Sequence, residues 1–371
     1  MKPLENIRVI DLSTLLPGPF ATLILAEAGA EVIKVERPGG EDMRRSPPFI
    51  NGESILFNLL NRGKRSVEID MKSDQGYKQI ITLIKTADVV IDQFRPGVME
   101  RLKLNFNSLK KIKKNIIHCS ITGYGQNGPK KYTAAHDINY MAESGLLSLA
   151  REKDGSPAMP NTQIADIAGG SYPAVINILL ALREAEKTGE GKFIDISMTD
   201  NLFPFMWMAI GLTSKNFYST GGDLQLTGGS PRYNIYKTQD EGYLALGALE
   251  EKFWLRFCEV INLPTKLIND QKNPNSTKEA IAKIIQKYPT KHWKDILSDE
   301  INICCSIVNN IEEAFKDKQI IERQLLTGKI KLGDKNITVM PTPLAPFWRA
   351  KDLIDSAPKL GEGNNIFVKT K

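Results

Sequence analysis

The sequence predicts an α/β protein, with a large domain built on a mostly parallel, doubly wound sheet and a smaller α+β domain. Short apolar runs alternate with helical stretches from residue 7 to residue 197, the pattern of buried strands joined by helices. After residue 215 the chain turns polar and Gly-rich in KNFYSTGGDLQLTGGSP, and a strand pair and helices follow. This change of composition predicts a linker and then a second domain.

Each predicted element follows from its own pattern. Residues 7–36 read as a β-α-β unit, with a helix opened by Pro19 and a turn at Gly29. The strand-like runs of the large domain are IRVIDLS, EVIKVE, SVEIDM, DVVIDQF, IIHCSITG and FIDISMTD, and its further helices are expected at 74–87, 97–102, 106–113, 167–185 and 199–213. The strand pair YNIYKTQDEGYLALGAL and helices at 251–261, 276–288 and 310–326 form the smaller domain.

These elements set the expected domain bounds. The large domain covers residues 1–198, a linker helix and loop cover 199–224, and the small domain covers 225–331. The tail from residue 332 is rich in Pro and turns. In a parallel sheet of this kind, ligands bind beyond the carboxyl ends of the strands.

Composition narrows the functional class. The chain is 42% hydrophobic and 25% charged, as expected of a globular protein, and its formal net charge is +6. This charge is spread widely and no nucleic-acid-binding signature accompanies it, so an anionic small ligand fits better than nucleic acid. We find no run of about 18 apolar residues and no signal-peptide pattern, and the four cysteines have no metal-ligand spacing. A cytoplasmic protein without a membrane span is therefore expected.

Several motifs of known enzymes are missing from the sequence. No G-x-G-x-x-G follows the first strand, which counts against a dehydrogenase in spite of the predicted sheet. We find no P-loop, no GxSxG elbow, no HExxH and no histidine-rich metal cluster. Isolated acid and base side chains are the remaining candidates for chemistry.

His136, one of three histidines, is the first candidate. It precedes Asp137, a good N-cap, and the helically spaced INYMAESGLLSL. The positive end of a helix dipole favours the neutral imidazole, which can accept a proton. The alternative is a histidine that only hydrogen-bonds at a helix entrance.

Two carboxylates are the other candidates. Asp166 also precedes a helix, and Gly169–Gly170 would let another chain or a ligand approach closely. Glu250 ends an apolar strand, where it could hold a histidine in one tautomer. The alternatives are a helix N-cap for Asp166 and a first-turn helix charge for Glu250.

Motifs between residues 9 and 363 together resemble a single family, the family III CoA-transferases and α-methylacyl-CoA racemases. In chain order they are VIDLSTLLPGPFATLILAEAGAEVIKVERPG, NRGKRSVEIDMK, FRPGVMERL, TGYGQNGP, AHDINYMAESG, ADIAGG, TGEGKFIDISMTD, TGGSPRYNIYKTQDEGYLALGALEEKF and PKLGEG. The resemblance implies a Rossmann-like large domain completed by the C-terminal segment 332–371. It also implies an interlocked homodimer, with the site between the large domain of one chain and the small domain of the other.

A few positions favour the racemases within this family. Asp166 matches the nucleophile of the transferases, which forms an aspartyl-CoA anhydride, and an acid/base of the racemases. His136 matches the second acid/base of the racemases in their GHDINY stretch, and transferases generally lack it. Glu250 in GALEEKF matches the glutamate of GAIEPQF that supports this histidine. The chain departs from the racemase pattern at Ala135 (Gly), at Glu251 (Pro) and in its shortened C-terminus.

The resemblance implies interconversion of (2R)- and (2S)-2-methylacyl-CoA by proton transfer at the carbon beside the thioester. His136 and Asp166 would act on opposite faces through an enolate, which needs hydrogen-bond donors. We expect the start of the Asp166 helix to supply them. Branched fatty-acyl, sterol side-chain and short methylacyl groups all remain open as substrates, and each would belong to fatty-acid or lipid metabolism.

The CoA-binding residues are likewise inferred by position. The candidates are Arg37, Ile69, Asp70, Met71, Lys72, Arg95, Arg101, Ala135, Asp137, Ile138, Asn139 and Tyr140. Their basic members would hold the phosphates, the backbone of residues 69–72 would face the adenine, and residues 135–140 would line the thioester arm. Two other functions remain open, which are CoA transfer between carboxylic acids through Asp166 and a catalytically inactive CoA-binding protein.

Overall fold

A computed structural model describes residues 2–152, 154–298 and 303–367. These form two compact units. The first contains the chain up to Ser144, residues 160–205 and the chain from Lys318 onward, and the second contains residues 145–159 and 206–317. Relative to the predicted bounds, residues 145–159 therefore cluster with the second unit and residues 318–331 with the first.

The first unit is built on a six-stranded, wholly parallel sheet. Its strands, in chain order, are β1 (Arg8–Asp11), β2 (Glu31–Glu36), β5 (Arg65–Glu68), β6 (Val89–Asp92), β7 (Ile117–Thr122) and β8 (Phe193–Ser197). Their order across the sheet is β5-β2-β1-β6-β7-β8, the order of a doubly wound Rossmann sheet. The chain reverses its direction of travel between β1 and β6, so a crevice opens beyond the carboxyl ends of these two strands. The predicted α/β fold is confirmed.

Helices cover both faces of this sheet. Those of the first unit are α1 (Pro17–Glu27), α2 (Ile55–Asn61), α3 (Asp74–Ile84), α4 (Val98–Arg101), α5 (Phe106–Ile112), α6 (Asp137–Ser144), α7 (Tyr172–Thr188) and α13 (Lys318–Glu322). A π-helical turn, Ala165–Ser171, precedes α7 directly. The stretch from Ala165 to Thr188 is long and apolar enough to cross a membrane, unlike our sequence-based expectation. However, α7 packs on α1, β7 and β8, as a core helix of a globular domain does.

The C-terminal segment completes the first unit. It carries β12 (Lys329–Leu332), β13 (Lys335–Thr338) and β14 (Leu353–Ile354), which form one small sheet, while β3 (Phe49–Ile50) and β4 (Glu53–Ser54) form a hairpin. Buried Arg62 donates to the carbonyl of Met340 (3.0 Å) and to Glu27 (2.9 Å). The amide of Gly363 donates to the carbonyl of Ser66, at 2.7 Å. The tail is thus bonded to the edge of the main sheet.

The second unit is a small α+β body. Its antiparallel strands are β9 (Tyr233–Lys237), β10 (Tyr243–Gly247) and β11 (Cys305–Ile307), and its helices are α8 (Trp207–Thr213), α9 (Glu251–Val260), α10 (Pro274–Ile285), α11 (Thr290–Ser298) and α12 (Ile311–Phe315). Buried Trp254, Phe257 and Trp293 lie in its core. Two predicted helices are interrupted. The one expected at 199–213 is a 3₁₀ turn containing Pro204 followed by α8, and the one expected at 310–326 breaks into α12 and α13.

A buried ionic network lies under the loop that follows β1. Lys64 Nζ contacts Asp11 Oδ2 at 3.2 Å, and Lys34 Nζ contacts Glu41 Oε2 at 3.2 Å and the carbonyl of Ser13 at 2.9 Å. Burial opposes ionisation of Asp11, but the charges of Lys64 and Lys34 outweigh it and lower the pKa of Asp11 to about 2. Because Asp11 also accepts the Ser13 amide (2.9 Å), the network fixes the start of the loop at the switch point.

Candidate active site

A cavity of about 290 Å³ opens at the carboxyl edge of the parallel sheet. Its walls come from the segments that follow β1, β6, β7 and β8 and from the residues around the start of α6. The lining residues include Thr14, Leu15, Pro17, Gln93, Phe94, Arg95, Pro96, Gly123, Tyr124, Lys131, Ala135, His136, Tyr140, Asp166 and Met198. Two side chains proposed for proton transfer, His136 and Asp166, therefore face one cavity at the topological switch point.

His136 stands at the N-terminus of α6, as expected. Its carbonyl accepts the amides of Asn139 (2.9 Å) and Tyr140 (3.4 Å), and its own amide donates to Asn139 Oδ1 at 3.0 Å. The side chain of His136 is exposed, and we find no hydrogen bond from its imidazole to the described residues. The backbone of His136 is thus fixed, while its ring is available to a ligand.

Asp137 does not cap α6, contrary to the sequence-based expectation. It is the first residue of the helix, and its Oδ1 accepts the amide of Asp166 at 2.9 Å. The cap position belongs to His136, with Asn139 as its partner. Asp137 instead ties the start of α6 to the turn that carries Asp166, and so sets the spacing of the two candidate groups.

The electrostatics of Asp166 suit proton transfer. Burial, followed by the negative charge of Asp137, raises the pKa of Asp166 to about 7. Burial also raises the pKa of Asp137, against the effect of the Asp166 and Ala165 amides. Near neutral pH, the carboxyl group of Asp166 is therefore present in both its acid and its base forms, as a group that must give and take a proton requires.

We expect Asp137→Asn to lower the pKa of Asp166. The substitution removes the nearby charge but keeps an oxygen that can accept the Asp166 amide. Because burial is the larger cause of the raised pKa, only the smaller part of the rise should disappear. For a step in which Asp166 removes a proton, kcat/KM rises with pH as Asp166 ionises. In Asp137→Asn this rise should move to lower pH. Asp137→Ala is the matched control, since it also removes the acceptor and should lower the rate at every pH. An unmoved rise in Asp137→Asn would contradict this account.

Close packing holds the walls of the cavity. A Cβ on Gly123 would lie 2.3 Å from the ring of Tyr140, and one on Gly169 would lie 2.6 Å from the carbonyl oxygen of Met198. The space beside Gly169 is thus taken up by the chain's own backbone, whereas the sequence-based expectation was another chain or a ligand. Burial, with the charge of Asp166 next, raises the pKa of Tyr140 to about 12, so its hydroxyl stays protonated and donates to the carbonyl of Ala135 at 2.8 Å.

Sequence reasoning missed several of the cavity residues. Gln93, Tyr124 and Lys131 were not among the candidates, although all three line the cavity. Gln93 Oε1 accepts the amide of Gly18 at 2.9 Å and so joins the segments after β1 and β6. One signal was available, because Gln93 lies near the end of one strand-like run and Tyr124 directly follows another, at the edge where ligands bind.

Comparison with known proteins gives the family. The model of CoA-transferase family III matches residues 4–364. The chain belongs to this family. Mouse alpha-methylacyl-CoA racemase is 33% identical over 367 residues, covering 97% of this chain and 91% of its own length. Mouse succinyl-CoA:glutarate CoA-transferase is 34% identical over 342 residues, covering 88% and 76%. The crystal structure of Rv3272 from M. tuberculosis has a TM-score of 0.84 at 27% identity and covers 99% of each chain.

Racemases and transferases thus resemble this family III chain equally well in overall identity. The 33% and 34% values differ too little to separate the two activities. The choice has to rest on the residues within the cavity.

The candidate CoA-binding residues of this family III protein fall into three groups. Arg95, Ala135 and Tyr140 line the cavity, while Asp137, Ile138 and Asn139 form the first turn of α6. Arg37 and residues 69–72 follow the adjacent strands β2 and β5, where the amide of Ile69 donates to Glu36 at 2.8 Å. Arg37 is exposed and pairs with Asp42 at 2.6 Å, and Arg101 ends α4. Arg37 and residues 69–72 thus lie at the carboxyl edge of the sheet, and like Arg101 and residues 137–139 they are outside the cavity lining.

Glu250 belongs to the second unit. It precedes α9, and its carbonyl accepts the amides of Phe253 and Trp254, each at 3.0 Å. Its side chain is exposed and caps no helix N–H. The structure therefore leaves the Glu250 carboxylate available, and its predicted support of His136 stays a prediction.

Proposed function

We propose that this family III protein is a racemase that interconverts (2R)- and (2S)-2-methylacyl-CoA thioesters. The observation that carries the proposal is the placement of His136 and Asp166 on the wall of one cavity. Inversion of a carbon next to a thioester requires removal of a proton from one face and delivery of a proton to the other. The carboxyl group of Asp166, with a pKa of about 7, and the imidazole of His136 can exchange these roles at neutral pH.

The reaction begins when one base removes the α-hydrogen. Ionised Asp166 takes it from one configuration, and neutral His136 takes it from the other. The C–H electron pair moves to the thioester oxygen and forms an enolate, and the opposite group then returns a proton to carbon. Each turnover leaves Asp166 and His136 with exchanged protonation states, which solvent resets.

The enolate oxygen needs donors other than the amide of Asp166. That amide already donates to Asp137 Oδ1 at 2.9 Å and is therefore not free to bind the enolate oxygen. The first N–H groups of a helix have no carbonyl partner within the helix. The first turn of α6, at Asp137 and Ile138, begins beside His136 and is therefore our candidate for the oxyanion donors.

Basic residues along the sheet edge would hold the CoA moiety. Arg95 lines the cavity, and Arg37, Lys72 and Arg101 lie outside it. We assign the phosphates to these side chains and the thioester arm to residues 135–140. Neither a metal nor a redox cofactor takes part in this proposal, and the acyl group is a 2-methyl-branched chain.

CoA transfer between carboxylic acids is the second candidate function. It is favoured by the 34% identity to mouse succinyl-CoA:glutarate CoA-transferase. In that reaction Asp166 attacks the thioester carbonyl, CoA leaves as a thiolate, and an acyl-aspartyl anhydride forms. A nucleophilic carboxylate must be ionised, and a pKa of about 7 leaves part of Asp166 in that form at neutral pH. Transfer through Asp166 alone, however, gives no role to His136 on the wall of the same cavity. We therefore rank transfer second.

The proposed function includes an interlocked homodimer. The first unit exposes apolar side chains on α7 and on the 3₁₀ turn after β8, namely Ile176, Leu179, Leu180, Phe203 and Phe205. An apolar surface of this kind supports a protein partner, which we take to be a second copy of the chain. In that dimer, Glu250 of one copy would support His136 of the other.

The deciding experiment follows the α-hydrogen of (2R)-2-methylacyl-CoA in D2O with purified protein. Deuterium incorporation together with epimerisation is the expected result. Absence of exchange would overturn the racemase proposal, and an acid acceptor with hydroxylamine trapping at Asp166 would then test transfer. Thermal stabilisation by CoA without exchange or transfer would instead indicate an inactive CoA-binding protein.

A further inference from the structure

Residues 93–97, which follow β6 directly, form a wall between two cavities. Gln93, Phe94, Arg95 and Pro96 line the cavity that holds His136 and Asp166. Residues 94–97 also line a second cavity of about 260 Å³, together with Asp92 and His118. The conformation of this segment therefore decides where Arg95 stands in the proposed active site.

A buried carboxylate–imidazole pair lies behind this segment. His118 Nε2 is 2.7 Å from Asp92 Oδ2, and the two side chains are 3% and 1% exposed. The other oxygen of Asp92, Oδ1, accepts the amide of Phe94 at 3.0 Å and the hydroxyl of Ser120 at 3.3 Å. One carboxylate thus joins His118 on β7 to the backbone of the segment that carries Arg95.

His118 has the geometry of an anchor and not of a proton relay. Because the Asp92 carboxylate can only accept, Nε2 donates to it and Nδ1 is left as the second ring nitrogen. That atom is buried and has no hydrogen-bond partner within residues 2–152, 154–298 and 303–367. The ring instead packs beside Phe193, with centroids 5.1 Å apart. A relay requires a second partner, whereas an anchor requires only the bond to Asp92.

Arg95 is the residue through which this anchor can reach the ligand. It is exposed, and we find no ion pair for it in the described part of the chain. Its charge nevertheless acts on the hydroxyl of Tyr140 across the cavity. A free guanidinium at this edge can bind a phosphate, but its long side chain depends on its backbone for position.

We propose that His118 is a positioning residue for CoA binding, which acts through Asp92 and the Phe94 amide to hold Arg95 in the active-site cavity. The proposal rests on the proposed binding of a CoA thioester at this edge. It assigns a function to a histidine outside the catalytic cavity and explains the depth at which this carboxylate–imidazole pair is buried.

The test compares His118→Phe with His118→Gln in the full-length protein. Phenylalanine keeps a ring but gives Asp92 no donor, whereas glutamine offers a side-chain N–H. We expect His118→Phe to raise the Kd for CoA, measured by calorimetry, and the KM for the thioester by about tenfold with little change in kcat. His118→Gln should restore most of the affinity. A purely structural role would lower the melting temperature and leave the Kd of the folded protein unchanged, and that result would overturn the proposal.

A double-mutant cycle with Arg95→Ala tests the route. If His118 acts through Arg95, His118→Phe should change the Kd little when Arg95 is already alanine, and additive effects would overturn the route. His118→Asn, whose amide is too short to reach Asp92, replaces His118→Phe if the latter does not fold. Calorimetry measures CoA binding without turnover. The proposal for His118 can therefore be tested even if the protein does not racemise its substrate. Wild-type protein that does not bind CoA would overturn both proposals.

Discussion

Replacing His136 with asparagine is expected to abolish epimerisation while leaving α-hydrogen exchange in one configuration of the substrate. Asp166 can still remove the proton on its own side and return deuterium to the same face. The proton on the opposite face loses its donor, so inversion should fall about 10²- to 10⁴-fold. Following deuterium content and configuration together, starting from each pure epimer in D2O, separates the two effects.

Asp166→Asn should show the mirror-image result, with exchange retained only in the other epimer. His292→Asn is the matched control, because this histidine lies on α11 in the second unit and stacks on Tyr288 at 4.1 Å. It should leave both readouts unchanged. Loss of exchange from both epimers in His136→Asn would show that the two groups do not act on separate faces.

Lys64→Met is expected to destabilise the protein by about 3–5 kcal/mol. Lys64 Nζ is fully buried and donates to the carbonyl of Pro19 (2.9 Å), Thr22 (2.7 Å) and Asn61 (2.8 Å) as well as to Asp11. Methionine fills the volume but leaves these acceptors and the Asp11 carboxylate without their cation. Urea unfolding at neutral pH measures the loss.

The pKa of Asp11 also determines how the stability of the protein depends on pH. Because the folded pKa of Asp11, about 2, lies below its unfolded value, Asp11 contributes stability that is lost as pH falls through that range. Without Lys64 the pKa of Asp11 rises, so acid unfolding should begin at higher pH. Lys114→Met is the control, since Lys114 makes an exposed ion pair with Glu190 and its loss should change stability little. A similarly small effect of Lys64→Met would refute the role of the network.

Much of the fold could be predicted because its signals are local. The six strands of the main sheet all coincide with apolar runs, and β2 has the predicted bounds. The interrupted helix at 311–322 could not be predicted, because its amphipathic spacing continues through the break that separates α12 from α13. The buried Lys34 and Lys64 could not be predicted either, since a charged residue in a sequence normally indicates an exposed position.

For the site, local pattern indicated His136 and Asp166 but not how they are joined. The bond from the Asp166 amide to Asp137 spans 29 positions of sequence. Asp137 is a good N-cap residue next to a helix start, so the local pattern predicted that it caps α6 and not that it accepts the amide of Asp166. His118 escaped notice for a similar reason, because an isolated histidine within an apolar strand has no visible partner until β6 and β7 are paired.

The tail that completes the first unit also bears on how the protein is made. Arg62 and Ser66 leave the ribosome long before Met340 and Gly363, to which they bond. A nascent chain that stops short of these residues exposes one edge of the sheet and a buried arginine with part of its partners missing. We therefore expect synthesis to pass Gly363 before the large unit becomes resistant to proteolysis, so that a truncation near residue 320 yields a chain that chaperones retain.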